Sequence, residues 1–255
     1  MYFVAKPNTD ALNFISAANI TDTTQCIAIA TLVTDLKNYS IWDKMRAVYP
    51  FVGGTAFSHK WNLKDPRDSD AAYRIQFSGS LIHSSTGVSG SSTGYANTFY
   101  TPSSQSFNER GHFTYYSRTS GSSSTNQMGA NNPSPPSYYE LIPNYNGNTR
   151  YSINSSVETD VIITNTLGLL HANRVNTTTQ QYYQNGVLLK SATAASGSIV
   201  SWNVMINAMN NSNIGTNNLS YECAFASLGD GLTTTEAADL YTAVQRFQTT
   251  LGRQV

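Results

Sequence analysis

Charge is what this sequence has least of. Only 12% of its 255 residues are charged, about half the share of an ordinary soluble domain. Its 15 Lys and Arg balance its 15 Asp and Glu. With no basic excess to neutralise phosphates, nucleic acid is not an expected partner. Long hydrophobic runs are missing too. No stretch of 18 apolar residues occurs, so no membrane-spanning helix is expected. The N-terminus, MYFVAKPNTD, has neither the charged start nor the apolar middle of a secretory signal. Cysteine is scarce. Cys26 and Cys223 are expected as two buried free thiols, with a disulfide joining the ends of the chain as the alternative. Two cysteines without clustered histidines argue against a zinc site.

Neutral polar residues fill the gap. Ser, Thr, Asn and Gln number about 95, and 16 Tyr add aromatics with a polar tip. Hydrophobic residues still make up 40%, so disorder is not expected. The length suits one large β domain, or one domain plus a small appendage. Such a composition leans towards extracellular or virion β-structures.

The first fifty residues read as helical. Asp10 opens ALNFISAANI. Asp22, three residues before Gln25, is a capping-box variant. Ile29, Leu32, Val33 and Leu36 then follow the period of an amphipathic helix. Ile41, Trp42, Met45 and Val48 predict a third short helix, stopped before Pro50. This segment, 1–50, is expected to pack on the β domain or to oligomerise. From Gly53-Gly54 to about Ser227, β-rich runs recur between Gly, Asn, Ser and Pro clusters. They are Ala71–Phe77, His112–Arg118, Ser137–Ile142, Val157–Thr164, Thr178–Gln184, Val187–Lys190, Ile199–Ala208 and Tyr221–Leu228. Asn185-Gly186 is a hairpin turn. The stretches Ser84–Thr93, Ser120–Pro136 and Asn210–Asn218 read as loops. Thr233 and Glu236 form a capping box for a last helix at about 234–251, and Gly252 offers its C-terminal cap. The pattern predicts a mainly β chain, a jelly-roll sandwich over 51–255 closed by that helix.

Three segments carry a resemblance. QQYYQNGVLLKSAT, at Gln180–Thr193, resembles the Tyr-x-Asn-Gly-Val hairpin of concanavalin A-like, laminin-G-like jelly rolls. Gly229, Asp230, Gly231, Leu232, Thr233 and Glu236 resemble the strand–turn–helix ending of the same domains. Tyr49–Phe77, with the helical entry before it and the terminal helix, is similar to tailed-phage tail-fibre and virion-surface modules. The resemblance implies a concanavalin A-like jelly roll with helical ends, and a virion-surface structural role. Partners would be other virion proteins, further copies of the chain (a trimer suits a fibre) and host surface glycans. Laminin-G-like folds often bind Ca²⁺ through rim carboxylates. Asp65, Asp68, Asp70 and Asp230 are the candidate ligands. Lys64, Arg67 and Arg74 beside the first three favour ion-paired turns instead. No other cofactor is expected.

Catalysis needs residues that are only partly present. The laminarinase-like branch of the fold carries three alternating acids on one strand. Here Glu158 and Asp160 supply two, but Ile162 or Ile163 stands at the third. A glycosidase would have to take its acid from elsewhere, for example Glu140. His59, His83, His112 and His171 are isolated in sequence, and no GxSxG elbow occurs. The chain is therefore read as a non-enzyme. Glycan recognition fits better, since aromatic faces stack on sugar C–H patches while Asn, Gln, Ser and Asp bond the hydroxyls. Paired tyrosines on a strand put one ring inward and one outward. Tyr95, Tyr100, Tyr116, Tyr138 and Tyr145 are the candidate sugar-facing rings. The contrary reading has tyrosines finishing sheet faces and subunit contacts. Trp42, Trp61 and Trp202 are assigned to the core. A glycan-binding virion module is the leading expectation, a ligand-free decoration or assembly protein the second, and a glycosidase the third.

Overall fold

The computed structural model describes residues 8–105 and 110–255. Residues 1–7, the start of the expected helical segment and of the stretch read for a signal, lie outside the described residues.

Strands are numbered in chain order. The first sheet runs, in space, β13 (Val187–Thr193), β12 (Thr179–Gln184), β11 (Gly168–Asn176), β6 (Gly111–Ser117), β17 (Glu222–Gly229), β4 (Gly87–Ser89) and β3 (Ile82–Ser84), with β1 (Met45–Tyr49) also beside β17. The second runs β10 (Thr159–Val161), β9 (Asn148–Ser155), β8 (Pro136–Tyr145), β7 (Met128–Pro133), β14 (Met205–Ile206), β5 (Tyr95–Asn97) and β2 (Gln76–Ser78). A small hairpin, β15 (Met209–Asn211) and β16 (Ile214–Thr216), joins this sheet through β7. Pairing is antiparallel apart from β15 on β7. The molecule is a β-sandwich with helices at both ends of the chain.

Two cores follow from strand alternation. Phe113 and Tyr115 on β6, Leu170 and Ala172 on β11, and Ala226 and Leu228 on β17 point between the sheets. There they meet Met128, Tyr139, Leu141, Tyr151 and Ile153 from the second sheet. The opposite positions of the first sheet, Tyr116, Leu169 and Phe225, form a second core with the helices. These are α1 (Thr9–Ala17), α2 (Thr23–Asn38) and α4 (Thr234–Thr250); a single-turn α3 (Ala56–His59) precedes the second sheet's first strand in the chain. The stripe Ile29, Leu32, Val33 and Leu36 is fully buried in it with Leu240, Val244 and Phe247. The face that suggested oligomerisation is thus used within the chain.

The caps form as the sequence predicts. Asp22 accepts from the Gln25 amide, and Thr233 and Glu236 close a reciprocal capping box on α4. Gly252 takes φ +64° just beyond α4. Asn185 and Gly186 take φ +51° and +75° in the β12–β13 turn, which matches a two-residue hairpin. Arg253 anchors the chain end: its buried guanidinium donates to the carbonyls of Pro50, Phe51 and Ala224.

Several expectations are corrected. The third short helix is a 3₁₀ turn (Trp42–Lys44) followed by strand β1. Val48 faces the helices while Ala47 and Tyr49 face the inter-sheet core. With both faces buried, no polar alternation marks the strand. In Ala71–Phe77 only the last residues enter β2, after a 3₁₀ turn (Asp70–Ala72) and Tyr73 at φ +57°. The strands read at Val157–Thr164 and Ile199–Ala208 shrink to β10 and β14. Three stretches read as loops contain strands: β4 within Ser84–Thr93, β7 within Ser120–Pro136, and the β15–β16 hairpin within Asn210–Asn218. Trp42 and Trp61 are buried and Trp202 is partly buried against the inter-sheet core. Cys26 and Cys223 are free thiols.

Candidate functional site on the outer face of the second sheet

Each sheet has one face that looks away from the partner sheet. On the first sheet the helices cover it. On the second, alternation along β8 turns Tyr139 and Leu141 inward and leaves Tyr138, Glu140 and Ile142 outward. On β9 Tyr151 and Ile153 turn inward and Arg150 and Ser152 outward. The registers set the rows of this outer face. Glu140 lies opposite Ser152 on one side and Gly129 on the other. Ile142 lies opposite Arg150, and Arg150 opposite Asp160.

Arg150 organises the centre. Its Nε and Nη2 donate to Asp160 Oδ1 and Oδ2 at 2.7 and 3.0 Å. Its Nη1 donates to Glu158 Oε1 at 3.3 Å. The guanidinium carbon stands 3.7 Å from the ring centroid of Tyr145. The fork with Asp160 holds Arg150 more firmly protonated. Glu140 sits behind this cluster, almost fully buried, and accepts from Asn126 Nδ2 at 3.2 Å. Burial first, then a hydrogen bond and repulsion from the adjoining Glu158 carboxyl, push Glu140 up to about 8. Glu140 therefore keeps its proton well above the usual carboxylate range. Tyr138 flanks the pair; burial, then the neighbouring Glu158 and Glu140 charges, push its hydroxyl up. The arrangement offers two partly exposed aromatic rings beside the hydroxyl-pairing carboxylates of Glu158 and Asp160.

The five predicted tyrosines divide. Tyr138 and Tyr145 come together at Arg150. Tyr95 lies on the same sheet's outer side, farther along on β5, its ring packed over the Gly215 backbone of the β15–β16 hairpin. Two expectations are corrected. Tyr100 is buried between the sheets, edge-on to Tyr73 at 5.5 Å. Tyr116 does face outward, but on the helix-covered sheet. Its hydroxyl donates to Gln245 and accepts from the Val255 amide. Neither ring can reach a ligand.

The four aspartates read as metal ligands are held by cations. Asp65 accepts from Arg67, Asp68 from Lys60, and Asp70 pairs with Arg74 at 2.8 Å. Asp230 takes both contacts of Arg46. Among the described residues no three His, Cys, Asp or Glu converge as a metal site would require. The carboxylates sit in ion pairs with Arg67, Lys60, Arg74 and Arg46.

Residues the sequence reading missed are Arg150, Asn126, Gly129 and Ser152. Only register across β7 to β10 brings them beside Glu140, Glu158 and Asp160. The alternation in Glu158-Thr159-Asp160 was the visible signal, and both acids do reach one side, where Arg150 holds them. The histidines form pairs elsewhere. His59 Nδ1 is 3.0 Å from His83 Nδ1. His112 and His171 meet edge-on beneath the helical layer, with His112 Nδ1 donating to the Asp230 carbonyl. Burial drives His112 down to about 4 and His171 well below its ordinary value.

No family model and no curated protein matches the sequence. Solved structures do match in fold. Domain 4 of the extracellular arabinanase AbnA from Geobacillus stearothermophilus, solved with arabinotriose, is 16% identical at TM-score 0.53, over 77% of this chain and 98% of that one. A sialidase from Trypanosoma rangeli, solved with a difluoro sugar acid, is 10% identical at TM-score 0.54, over 85% of this chain and 39% of that one. The receptor-binding domain of botulinum neurotoxin mosaic serotype C/D is 11% identical at TM-score 0.52, over 79% of this chain and 51% of that one. The chain thus spans about half or less of the sialidase and toxin chains. At these identities the likeness establishes the β-sandwich fold.

Proposed function

We propose that the protein is a non-catalytic carbohydrate-binding module whose glycan face is the outer face of the second sheet, at Tyr138, Tyr145, Arg150, Glu158 and Asp160. One observation carries this reading. Of the two outer sheet faces, this one has no helix packed on it among the described residues and pairs partly exposed rings with hydroxyl-bonding groups. The arabinotriose-bound arabinanase domain, matched over nearly its full length, supports it. The carboxyls support the non-catalytic part, against a retaining mechanism. Glu140 and Glu158 hydrogen-bond to each other, whereas a retaining pair stands about 5 Å apart across the scissile bond. Placement on a phage virion, as a tail-fibre or capsid-fibre module, rests on the sequence resemblance alone. Locating the chain in intact particles tests it.

The test of the main reading is a glycan array on the purified chain, followed by calorimetry on any hit. Tyr138→Ala and Tyr145→Ala should each weaken binding at least about tenfold while the fold is kept. Full-strength binding by the double variant would move the site elsewhere. A second reading, a ligand-free assembly or decoration protein, is favoured by the exposed aliphatics Val187, Leu188 and Leu189 on edge strand β13, with Val157 and Ile162 flanking β10. Silence across the array together with self-association in solution would favour it.

A further inference from the structure

We propose that this face selects glycans that carry no negative charge and rejects sialylated, uronate or sulfated ones. The inference rests on the carbohydrate-binding reading above and names its ligand class. Capturing a sugar carboxylate takes a cation with free, outward donors, most often an arginine fork. The cluster's cation is already committed to carboxylates through three of its five N–H groups. Arg150 gives Nε and Nη2 to Asp160 and Nη1 to Glu158, and Tyr145 covers its plane. Two carboxylates against one guanidinium leave the cluster net negative. Glu140, behind them, adds no positive charge in either protonation state. The amide of Asn126 is buried and directs an N–H to Glu140.

An anionic sugar would therefore meet net repulsion at a guanidinium already shared between two carboxylates. A sugar hydroxyl meets the opposite. Ionised carboxylates only accept, with four lone-pair sites each. Arg150 engages both oxygens of Asp160 but only Oε1 of Glu158, leaving lone pairs for hydroxyl donors. The apolar face of the same ring can lie on Tyr138 or Tyr145.

Matched pairs test the inference: lactose against 3′-sialyllactose, and galactotriose against trigalacturonate, with arabinotriose as a further neutral probe. Calorimetry should show the neutral members binding and each acidic partner at least about tenfold weaker. Asp160→Asn, an exposed position, removes one charge and releases two Arg150 donors. It should narrow that gap. Equal or tighter binding of the acidic members to the unaltered protein would overturn the inference and leave the carbohydrate reading standing. So would a gap that Asp160→Asn does not change. Failure of all five probes and of a wider neutral array would overturn both.

Discussion

The two outer faces of the sandwich are built from similar strands and put to different uses. The outward positions of the first sheet, Tyr116, Leu169 and Phe225, are covered by α2 and α4. Those of the second sheet carry Tyr138, Glu140, Arg150 and Asp160 and have no helix over them among the described residues. Tyrosine occurs on both, so residue type does not decide what a position does. The cover decides it. One face holds the fold together, and the other is the face proposed to recognise glycans.

The contrast extends to protons. The covered face buries His112 and His171 as neutral rings, while the open face buries Glu140 as an acid that keeps its proton well above the usual carboxylate range. The two respond to pH in opposite directions.

The largest effects should come from the covered face. Phe247→Ala empties the middle of the helical core and should cost about 3–5 kcal/mol in chemical denaturation. Tyr138→Ala on the open face should cost less than about 1 kcal/mol. Similar losses from both would erase the contrast.

Titration comes next. His112 and His171 are depressed from 6.5, to about 4 for His112. The unfolded chain takes up these protons first. Their contribution is complete above pH 6.5 and declines as pH falls from there through 4, by at most about 1.4 kcal/mol per pH unit for each group. His171 has neither ring nitrogen bonded, so His171→Leu should flatten this acid limb. Glu140 is raised from 4.5 to about 8. Its contribution is complete below pH 4.5 and declines as pH rises towards 8. Glu140→Gln keeps the donor to Glu158 and should gain stability over the unaltered protein as pH passes from 5 to 8. Denaturation curves across that range read both limbs; parallel curves for variant and parent would contradict the assignment.

A smaller effect is expected at the edge of the covered face. Thr233→Ala removes the α4 cap, which binds the Glu236 amide. It should cost about 1 kcal/mol in thermal or chemical denaturation without changing glycan binding.

Legibility in the sequence follows what is local. Thr233 with Glu236, Asp22 with Gln25, and Asn185-Gly186 each act within four residues, and each forms as read. Met45–Tyr49 was misread because burial on both faces removes the polar alternation by which a strand is recognised. Short β4, β7 and β15 hide in Ser- and Asn-rich stretches because their bonds come from partners far along the chain. The same holds for the site. Tyr138, Tyr145, Glu140, Glu158 and Asp160 were all noticed singly. Arg150 joins them only through the register of β8, β9 and β10, which no spacing in the sequence encodes. Tyr116 failed as a candidate because outward on the first sheet means under a helix.

The most direct test is amide chemical-shift mapping while the protein is titrated with the neutral glycan that binds most tightly on the array. The expected shifts concentrate on 138–145, 150 and 158–160, with α2 and α4 unchanged. Shifts centred on the shallow groove along α2, lined by Ile27, Thr31, Thr34 and Arg246, would contradict the assignment of recognition to the uncovered sheet.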